Sequence, residues 1–185
     1  AGHGLAWYPG ETNFRAADIL VINKVSAAGE EDLARIMALR ERLNPGVPVL
    51  QADLEVSVQQ PELLAGQRVL IVEDGPTVTH GGMAYGAGWV AAQKYQVGEI
   101  VDPHSSAVGS IRQTLEKFPH LRQVLPAMGY SSEQRAELKA SIEGSGAEVV
   151  LNASPSDITT LLELSLPVAQ VRYEFTPREG ADILA

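Results

Sequence analysis

One stretch of the sequence, residues 73–88, concentrates side chains that could perform chemistry. It contains two acids, two threonines, a histidine and five glycines. Carboxylates can hold a divalent metal ion, and an imidazole can move protons near neutral pH. Glycines let the backbone approach a ligand, and free N–H groups at a helix start attract anions. The stretch therefore predicts a site for a phosphorylated ligand, with a tight turn that needs glycine for steric reasons as the alternative.

The elements around this stretch should hold it at the edge of a sheet. An apolar run at 68–72 predicts a buried strand before it, and residues 83–96 predict a helix after it. Ligands bind in α/β proteins at the carboxyl ends of the strands. Three more loops follow predicted strands in the same way, at 101–106, 125–131 and 151–157. We expect polar groups from these four strand ends to converge, although each loop taken alone could be an ordinary turn or helix cap.

Strands and helices alternate along most of the chain, which predicts an α/β fold with a doubly wound, mostly parallel sheet. Residues 1–16 are predicted to be irregular and 57–67 to be a linker. The predicted strands are 17–22, 47–52, 68–72, 99–101, 123–127, 147–151 and 168–173. The predicted helices are 30–43, 83–96, 107–117, 132–143 and 156–164, with Ser131 and Gln134 as a capping box at the fourth.

The composition restricts the classes of partner. The 185 residues carry a net charge of −9, which argues against nucleic acid and anionic membranes as general partners. Because the chain has no cysteine, disulfides, thiolate metal sites and cysteine nucleophiles are excluded. No apolar run is long enough to span a membrane, so a cytoplasmic protein is expected.

A second motif, Asn23-Lys24-Val25-Ser26, follows the first predicted strand. It is similar to the base-recognition motif of P-loop GTPases, with Ser26 where those proteins have an aspartate that reads guanine. A hydroxyl cannot accept two N–H groups as a carboxylate does, so adenine becomes plausible. No Gly-x-x-x-x-Gly-Lys-Ser/Thr occurs in the chain, which is therefore expected to be the C-terminal portion of a longer protein. Alone, the Asn-Lys pair is equally consistent with an ordinary turn.

Several segments together resemble the cyclic 2,3-diphosphoglycerate synthetases and their bacterial homologues. The segments that carry the resemblance are 8–13, 17–25, 72–88, 100–103, 118–120, 124–130 and 171–174. The resemblance implies an ATP-dependent ligase that closes 2,3-diphosphoglycerate into a cyclic pyrophosphate, with Mg²⁺ and with GTP as the alternative nucleotide. It divides the chain into the end of a P-loop NTPase-like domain without its own P-loop (1–60), a Rossmann-like α/β segment (66–176) and a tail (177–185).

On this interpretation each candidate residue has a role. The catalytic candidates are His80, Asp74 and Thr79, and the metal candidates are Glu73 and Asp74. The purine site would use Asn23, Lys24 and Ser26. The phosphorylated substrate would meet Thr77, Gly81, Gly82, Tyr85, Gly86, Asp102 and Arg15. His120 is expected to be structural.

Two other functions remain open from the sequence. One is a regulatory or metallochaperone-type GTPase, which the Asn-Lys motif favours. The other is a non-catalytic fragment that binds a phosphorylated metabolite. The expected partner is a small phosphorylated metabolite, and homo-oligomerisation is left open. The 185 residues alone are expected to be inactive, because they lack a phosphate-cradling loop.

Overall fold

The computed structural model describes residues 3–6, 8–80, 84–129 and 131–184. The chain divides into two compact units, of which the first comprises Ala1–Glu55 with Tyr173–Ala185 and the second comprises Val56–Arg172. The sequence predicted a linker at 57–67, whereas a strand runs through 55 and 56 and continues to residue 59. A 3-10 turn at Pro61–Leu63 follows it.

The first unit contains short helices, a parallel strand pair and one long helix. Its elements are α1 (His3–Ala6), α2 (Gly10–Ala16), β1 (Leu20–Asn23), α3 (Glu30–Leu43), the first part of β2 (Val49–Gln59) and the last part of β7 (Val168–Glu179). β1 pairs with β2 in parallel. The predicted bounds of α3 are confirmed. Acids in its first turn and arginines in its last turn both interact favourably with the helix dipole and so stabilise the helix.

Residues 1–16 are not irregular as predicted, because they contain α1 and α2. Pro9 immediately precedes the first residue of α2, at a helix start where the missing N–H of a proline costs no intrahelical hydrogen bond. An ion pair between Arg15 and Glu11, four residues apart, supports α2.

β7 also differs from the prediction, since it continues to Glu179 instead of ending at residue 173. The last residues of β7 also contact β2 through their side chains. The Arg178 Nε–H donates to Asp53 at 2.8 Å, and the Gln51 side-chain amide donates to Glu179 at 2.8 Å. Part of the predicted tail at 177–185 is therefore strand, and Ala181–Leu184 form a 3-10 turn.

The second unit is built around β3 (Arg68–Asp74), which pairs in parallel with three strands. Its partners are β4 (Glu99–Ile100), β5 (Leu125–Ala127) and β6 (Val149–Asn152), and β6 also pairs in parallel with β7. The α/β fold with a mostly parallel sheet is thus confirmed. Residues 69–72 of β3 are completely buried, as expected for a parallel strand covered on both faces.

The register brings three strand ends to one level. Val72 lies opposite Asn152 of β6, and Asp74 lies opposite Ala127 of β5. The loops that leave β3, β5 and β6 therefore begin side by side.

Five helices occur in the described part of this unit. They are α4 (Gly75–His80), α5 (Ala87–Lys94), α6 (Gly109–Lys117), α7 (Ser132–Glu143) and α8 (Ile158–Leu162). α7 has the predicted bounds, and Ser131 accepts the Gln134 N–H at 3.1 Å as its cap. No helix in the described residues is long and apolar enough to cross a membrane.

The stretch after β3 is not a single loop followed by a helix from residue 83. It forms α4 at once, and α5 begins only at Ala87. Pro76 in the first turn is compatible with a helix because the N–H that it lacks would have no intrahelical partner there.

Gly88 is where close packing requires a glycine. A Cβ at Gly88 would lie 2.5 Å from the Ile71 side chain, whereas a Cβ at Gly29 meets nothing within 4 Å. We expect Gly88→Ala to lower the free energy of unfolding by about 2 kcal/mol, because α5 must move away from β3. Gly29→Ala should cost less than about 1 kcal/mol. Urea unfolding of both variants measures this, and equal losses would contradict it.

Candidate functional site

Glu73 is a buried acid that anchors the start of α5. The side chain is only 3% exposed. Its Oε1 accepts the backbone N–H groups of Gly86, Gly88 and Trp89 at 3.0, 2.8 and 3.3 Å. Burial raises the pKa of the Glu73 carboxyl, and the three N–H groups oppose that shift. The carboxylate thus occupies the helix N-terminus, where the sequence predicted an external anion.

The glycines next to this carboxylate allow its close approach. A Cβ at Gly86 would lie 2.6 Å from Glu73 Oε2. Gly86 was predicted to bind phosphate, but its N–H is donated to Glu73 in this structure. The steric requirement for glycine is therefore explained within the protein at Gly86 and Gly88.

Asp74, the last residue of β3, caps the start of α4 with one of its two carboxylate oxygens. Its Oδ2 accepts the Thr77 N–H at 3.2 Å and the Thr77 hydroxyl at 2.6 Å. Among the described residues, no hydrogen bond to Oδ1 is found. The Thr79 hydroxyl donates to the Gly75 carbonyl at 2.7 Å, inside the same short helix. Asp74 can therefore contact a ligand while it caps α4.

The ends of β3, β5 and β6 form a cleft of about 240 Å³. We call it the strand-end cleft. It is lined by Asp74, Pro76, Ala127, Met128, Gly129, Leu138, Ser154, Pro155, Ser156, Ile158 and Leu161. Three of the four strand-end loops thus converge as the sequence predicted. The fourth does not contribute to the lining, since Asp102 after β4 is not among these residues.

The loop after β6 is held by the buried amide of Asn152 and the half-buried amide of Gln170, neither of which was among the predicted site residues. The Asn152 side-chain N–H groups donate to the Ser156 carbonyl at 2.8 Å and to Gln170 Oε1 at 2.7 Å. Its oxygen accepts from the Ser154 N–H and hydroxyl. Gln170 in turn donates to the Ser154 carbonyl at 3.1 Å. Every hydrogen-bonding position of the Asn152 amide is therefore used to shape one wall of the cleft.

The sequence did contain one indication of a role for Asn152, which is its position at the end of an apolar strand and before a segment rich in serine and proline. A side-chain amide in that position forms hydrogen bonds either with the following turn or with a ligand. The sequence alone could not distinguish a turn from a ligand as its partner. Gln170 carried no signal, because its pairing joins β7 to a loop that is distant in sequence.

Two other predicted contacts lie elsewhere in the second unit. Asp102 Oδ1 accepts the His104 N–H at 2.9 Å and lies 2.7 Å from His104 Nδ1. The backbone N–H of His104 lowers the pKa of Asp102. Tyr85 is 46% exposed, and its ring centroid lies 4.4 Å from that of Trp89.

The predicted residues Gly81 and Gly82 lie outside the described residues, as does the side chain of His80. His80 ends α4. His120 is the histidine that was expected to be structural. Its Nε2 lies 3.0 Å from the carbonyl oxygen of Val78 in α4.

The described residues contain no group of three or more histidine or acidic side chains that could hold a metal ion. Mg²⁺ in phosphoryl-transfer sites is commonly held by one or two carboxylates together with phosphate oxygens and water. The open oxygen of Asp74 fits that arrangement, whereas Glu73 Oε1 already accepts three N–H groups.

The predicted purine residues lie at the end of β1 in the first unit. Asn23 Oδ1 accepts the Lys24 N–H at 2.8 Å, and Lys24 has a left-handed backbone with φ of 61°. Ser26 donates its N–H to Asp53 Oδ1 at 2.9 Å and its hydroxyl to Asp53 Oδ2. Ser26 is thus committed to Asp53, and an aspartate at position 26 would bring two carboxylates together.

Asp53 is the centre of a polar network in this unit. Arg178 pairs with Asp53 at 2.8 Å and with Glu55 at 2.9 Å. The Ser26 hydroxyl, the Ser26 N–H and Arg178 lower the pKa of Asp53 to about 2. Arg15, predicted to bind phosphate, is instead paired with Glu11 on the surface of α2.

Comparison with known proteins gives one relevant relative. The chain is 49% identical over 173 residues to a protein of Thermococcus kodakarensis named arginine synthetase ArcE. The match covers 94% of this chain, which spans 39% of the length of that curated relative. No protein-family model matches the chain.

Removal of the Glu73 carboxylate should loosen the start of α5. Glu73→Ala leaves three N–H groups without their acceptor, and we expect the free energy of unfolding to fall by about 3 kcal/mol. Glu73→Gln keeps an oxygen acceptor and should cost about 1 kcal/mol. Chemical denaturation followed by circular dichroism measures both values, and similar losses would show that the N–H groups do not need Glu73.

The Asp53 network should give the protein a stability that depends on acid pH. Because the folded-state pKa is about 2 against an ordinary value of 3.8, the contribution of Asp53 is complete above pH 3.8 and is lost as the pH falls toward 2. We expect Asp53→Asn to have a lower Tm than the parent at neutral pH. Its Tm should fall less steeply between pH 4 and pH 2. Parallel curves for the two proteins would exclude this role.

Proposed function

We propose that this chain is part of an ATP-dependent synthetase, and that the strand-end cleft lies at its reaction centre. The observation that carries the proposal is the convergence of three parallel strand ends around Asp74, a cleft-lining residue whose Oδ1 accepts no hydrogen bond from any described residue. Sites of this kind lie at the carboxyl ends of strands in α/β proteins. The relative that bears the name of a synthetase supports the same class of activity.

The proposed chemistry is phosphoryl transfer from the nucleotide to an oxygen of the substrate, followed by displacement of the activated group. Such transfer depends on positioning and charge neutralisation more than on a covalent nucleophile. The cleft lining contains a carboxylate and no lysine or arginine among the described residues. A phosphate there would be repelled by Asp74 unless a cation lay between them.

Asp74 would hold Mg²⁺ through its open oxygen. The ion would supply the neutralising charge for the phosphoryl group. The hydroxyls of Ser154 and Ser156 lie on the opposite loop of the same cleft. His80, which ends α4, would be the group that moves a proton. The hydroxyls of Thr77 and Thr79 already donate to Asp74 and to the Gly75 carbonyl, so their role would be to hold Asp74 and α4 in place.

The acceptor of the phosphoryl group has two candidates. The sequence resemblance favours 2,3-diphosphoglycerate. The second phosphate of the same molecule would attack the phosphorus of the newly phosphorylated one, form the cyclic P–O–P bond and release inorganic phosphate. The name of the relative favours a reaction that forms arginine. Both need a nucleotide, and the Asn23-Lys24 turn at the carboxyl end of β1 supports a P-loop NTPase-like character for the first unit.

The complete protein that contains this chain tests the proposal. It is incubated with Mg²⁺ and ATP or GTP, with and without 2,3-diphosphoglycerate, and nucleotide diphosphate and a cyclic product are measured. The arginine reaction is measured in reverse, from arginine, ADP and phosphate. We expect turnover that requires one of the two substrates. Hydrolysis of GTP without any substrate would instead favour the regulatory GTPase.

A matched pair of variants tests the role of Asp74 in the same assay. Asp74→Asn keeps the helix cap but removes the charge, and we expect turnover to fall by about 100-fold or more. Asp157→Asn is the control, because Asp157 caps α8 through the N–H and hydroxyl of a threonine three residues further on, as Asp74 caps α4, and is not among the residues that line the cleft. Equal turnover in the two variants would exclude Asp74 from the chemistry.

A further inference from the structure

A second cleft of the second unit combines aromatic and basic side chains. It has a volume of about 230 Å³ and is lined by Ala84, Tyr85, Trp89, His120, Arg122 and Gln123. We call it the Tyr85–Trp89 cleft. It shares no lining residue with the strand-end cleft.

One wall of this cleft is a fixed aromatic surface. The Tyr85 and Trp89 rings are 4.4 Å apart between centroids and are tilted by 33°. The backbone N–H of Trp89 donates to the buried Glu73, which anchors this turn of α5. Because Tyr85 is 46% exposed, part of its ring is open to a flat ligand. Stacking of a base on such a surface contributes about 1–3 kcal/mol.

The hydrogen-bond donors and acceptors of the cleft can be assigned from their partners. The Trp89 indole N–H can only donate, so the Gln123 atom 3.1 Å away must be its amide oxygen. The two N–H groups of the Gln123 amide remain available as donors. The Val78 carbonyl can only accept, so His120 Nε2 carries a proton and Nδ1 is an acceptor in the neutral ring.

Arg122 gives the cleft a positive charge that no described side chain neutralises. Its guanidinium has no ion pair or hydrogen bond among the described residues, and the described lining of the cleft contains no carboxylate. A guanidinium in this position can pair with a phosphate.

We propose that the Tyr85–Trp89 cleft binds an adenine nucleotide, with the base on the aromatic rings and a phosphate on Arg122. A purine with an amino group offers the donor and acceptors that His120 and Gln123 complement. The volume is below the roughly 300–1,000 Å³ of pockets that enclose drug-sized ligands, so it suits a base with its phosphates outside.

The choice of nucleotide as the anion rests on the proposed synthetase function. The position differs from the purine site predicted beside Asn23 and Lys24 in the first unit, where Ser26 is bonded to Asp53.

Intrinsic fluorescence provides a direct test with this chain. Its two tryptophans are Trp7 and Trp89, so Trp7→Phe leaves Trp89 as the single reporter. The protein is titrated with ATP, ADP and AMP, and with inorganic triphosphate as the probe without a base. We expect saturable quenching by the three nucleotides and none by inorganic triphosphate, because only a stacked base contacts the rings.

Variants in the same background test each contact. Arg122→Gln should raise the Kd for ATP by about tenfold, as expected for one charge-assisted contact. Tyr85→Ser should weaken binding similarly, while Tyr85→Phe should keep the Kd within about twofold because stacking needs only the ring. The control is Arg35→Gln, since Arg35 lies on the exposed side of α3 near Glu31 and Asp32.

Absence of quenching by ATP at millimolar concentration would overturn the proposal. A Kd that Arg122→Gln and Arg35→Gln change equally would also overturn it.

Failure of this nucleotide-site proposal can be distinguished from failure of the proposed synthetase function. Quenching that depends on Arg122, in a protein without substrate-dependent turnover, would reject the synthetase alone. Turnover in the complete protein that is unaffected by Arg122→Gln and Tyr85→Ser would reject this cleft alone.

Discussion

The buried carboxylate of Glu73 is the constraint on which the candidate site depends. It joins the end of the central strand β3 to the first N–H groups of α5. These hydrogen bonds hold the end of β3 and the start of α5 close together. The glycines at 86 and 88 allow that closeness, since any Cβ there would collide with Glu73 or Ile71.

This anchor explains why acid and glycine occur together without an external ligand. A helix N-terminus attracts an anion, and here the protein supplies its own. The next residue, Asp74, is then left at the edge of the sheet, where it caps α4 and lines the strand-end cleft. Two neighbouring acids thus have different environments. Glu73 is buried and its Oε1 accepts three N–H groups, whereas Oδ1 of Asp74 accepts none from the described residues.

The first unit has a comparable arrangement around Asp53. The turn after β1 is bonded through Ser26 to a carboxylate on β2, and Arg178 from β7 pairs with the same group. In both units, therefore, the loop after a parallel strand is positioned by an acid that accepts backbone N–H groups.

The sequence by itself determined the alternation of strands and helices, the parallel sheet, the bounds of α3 and α7, and the convergence of three strand-end loops. These follow from local periodicity, from caps and from the rule that parallel strands end at one edge. It could not decide which partner each polar side chain has. Glu73 and Gly86 meet across 13 residues, Ser26 and Asp53 across 27, and Asp53 and Arg178 across 125. Only the tertiary structure decided these pairs, because carboxylates and N–H groups form the same bonds with a ligand as with each other.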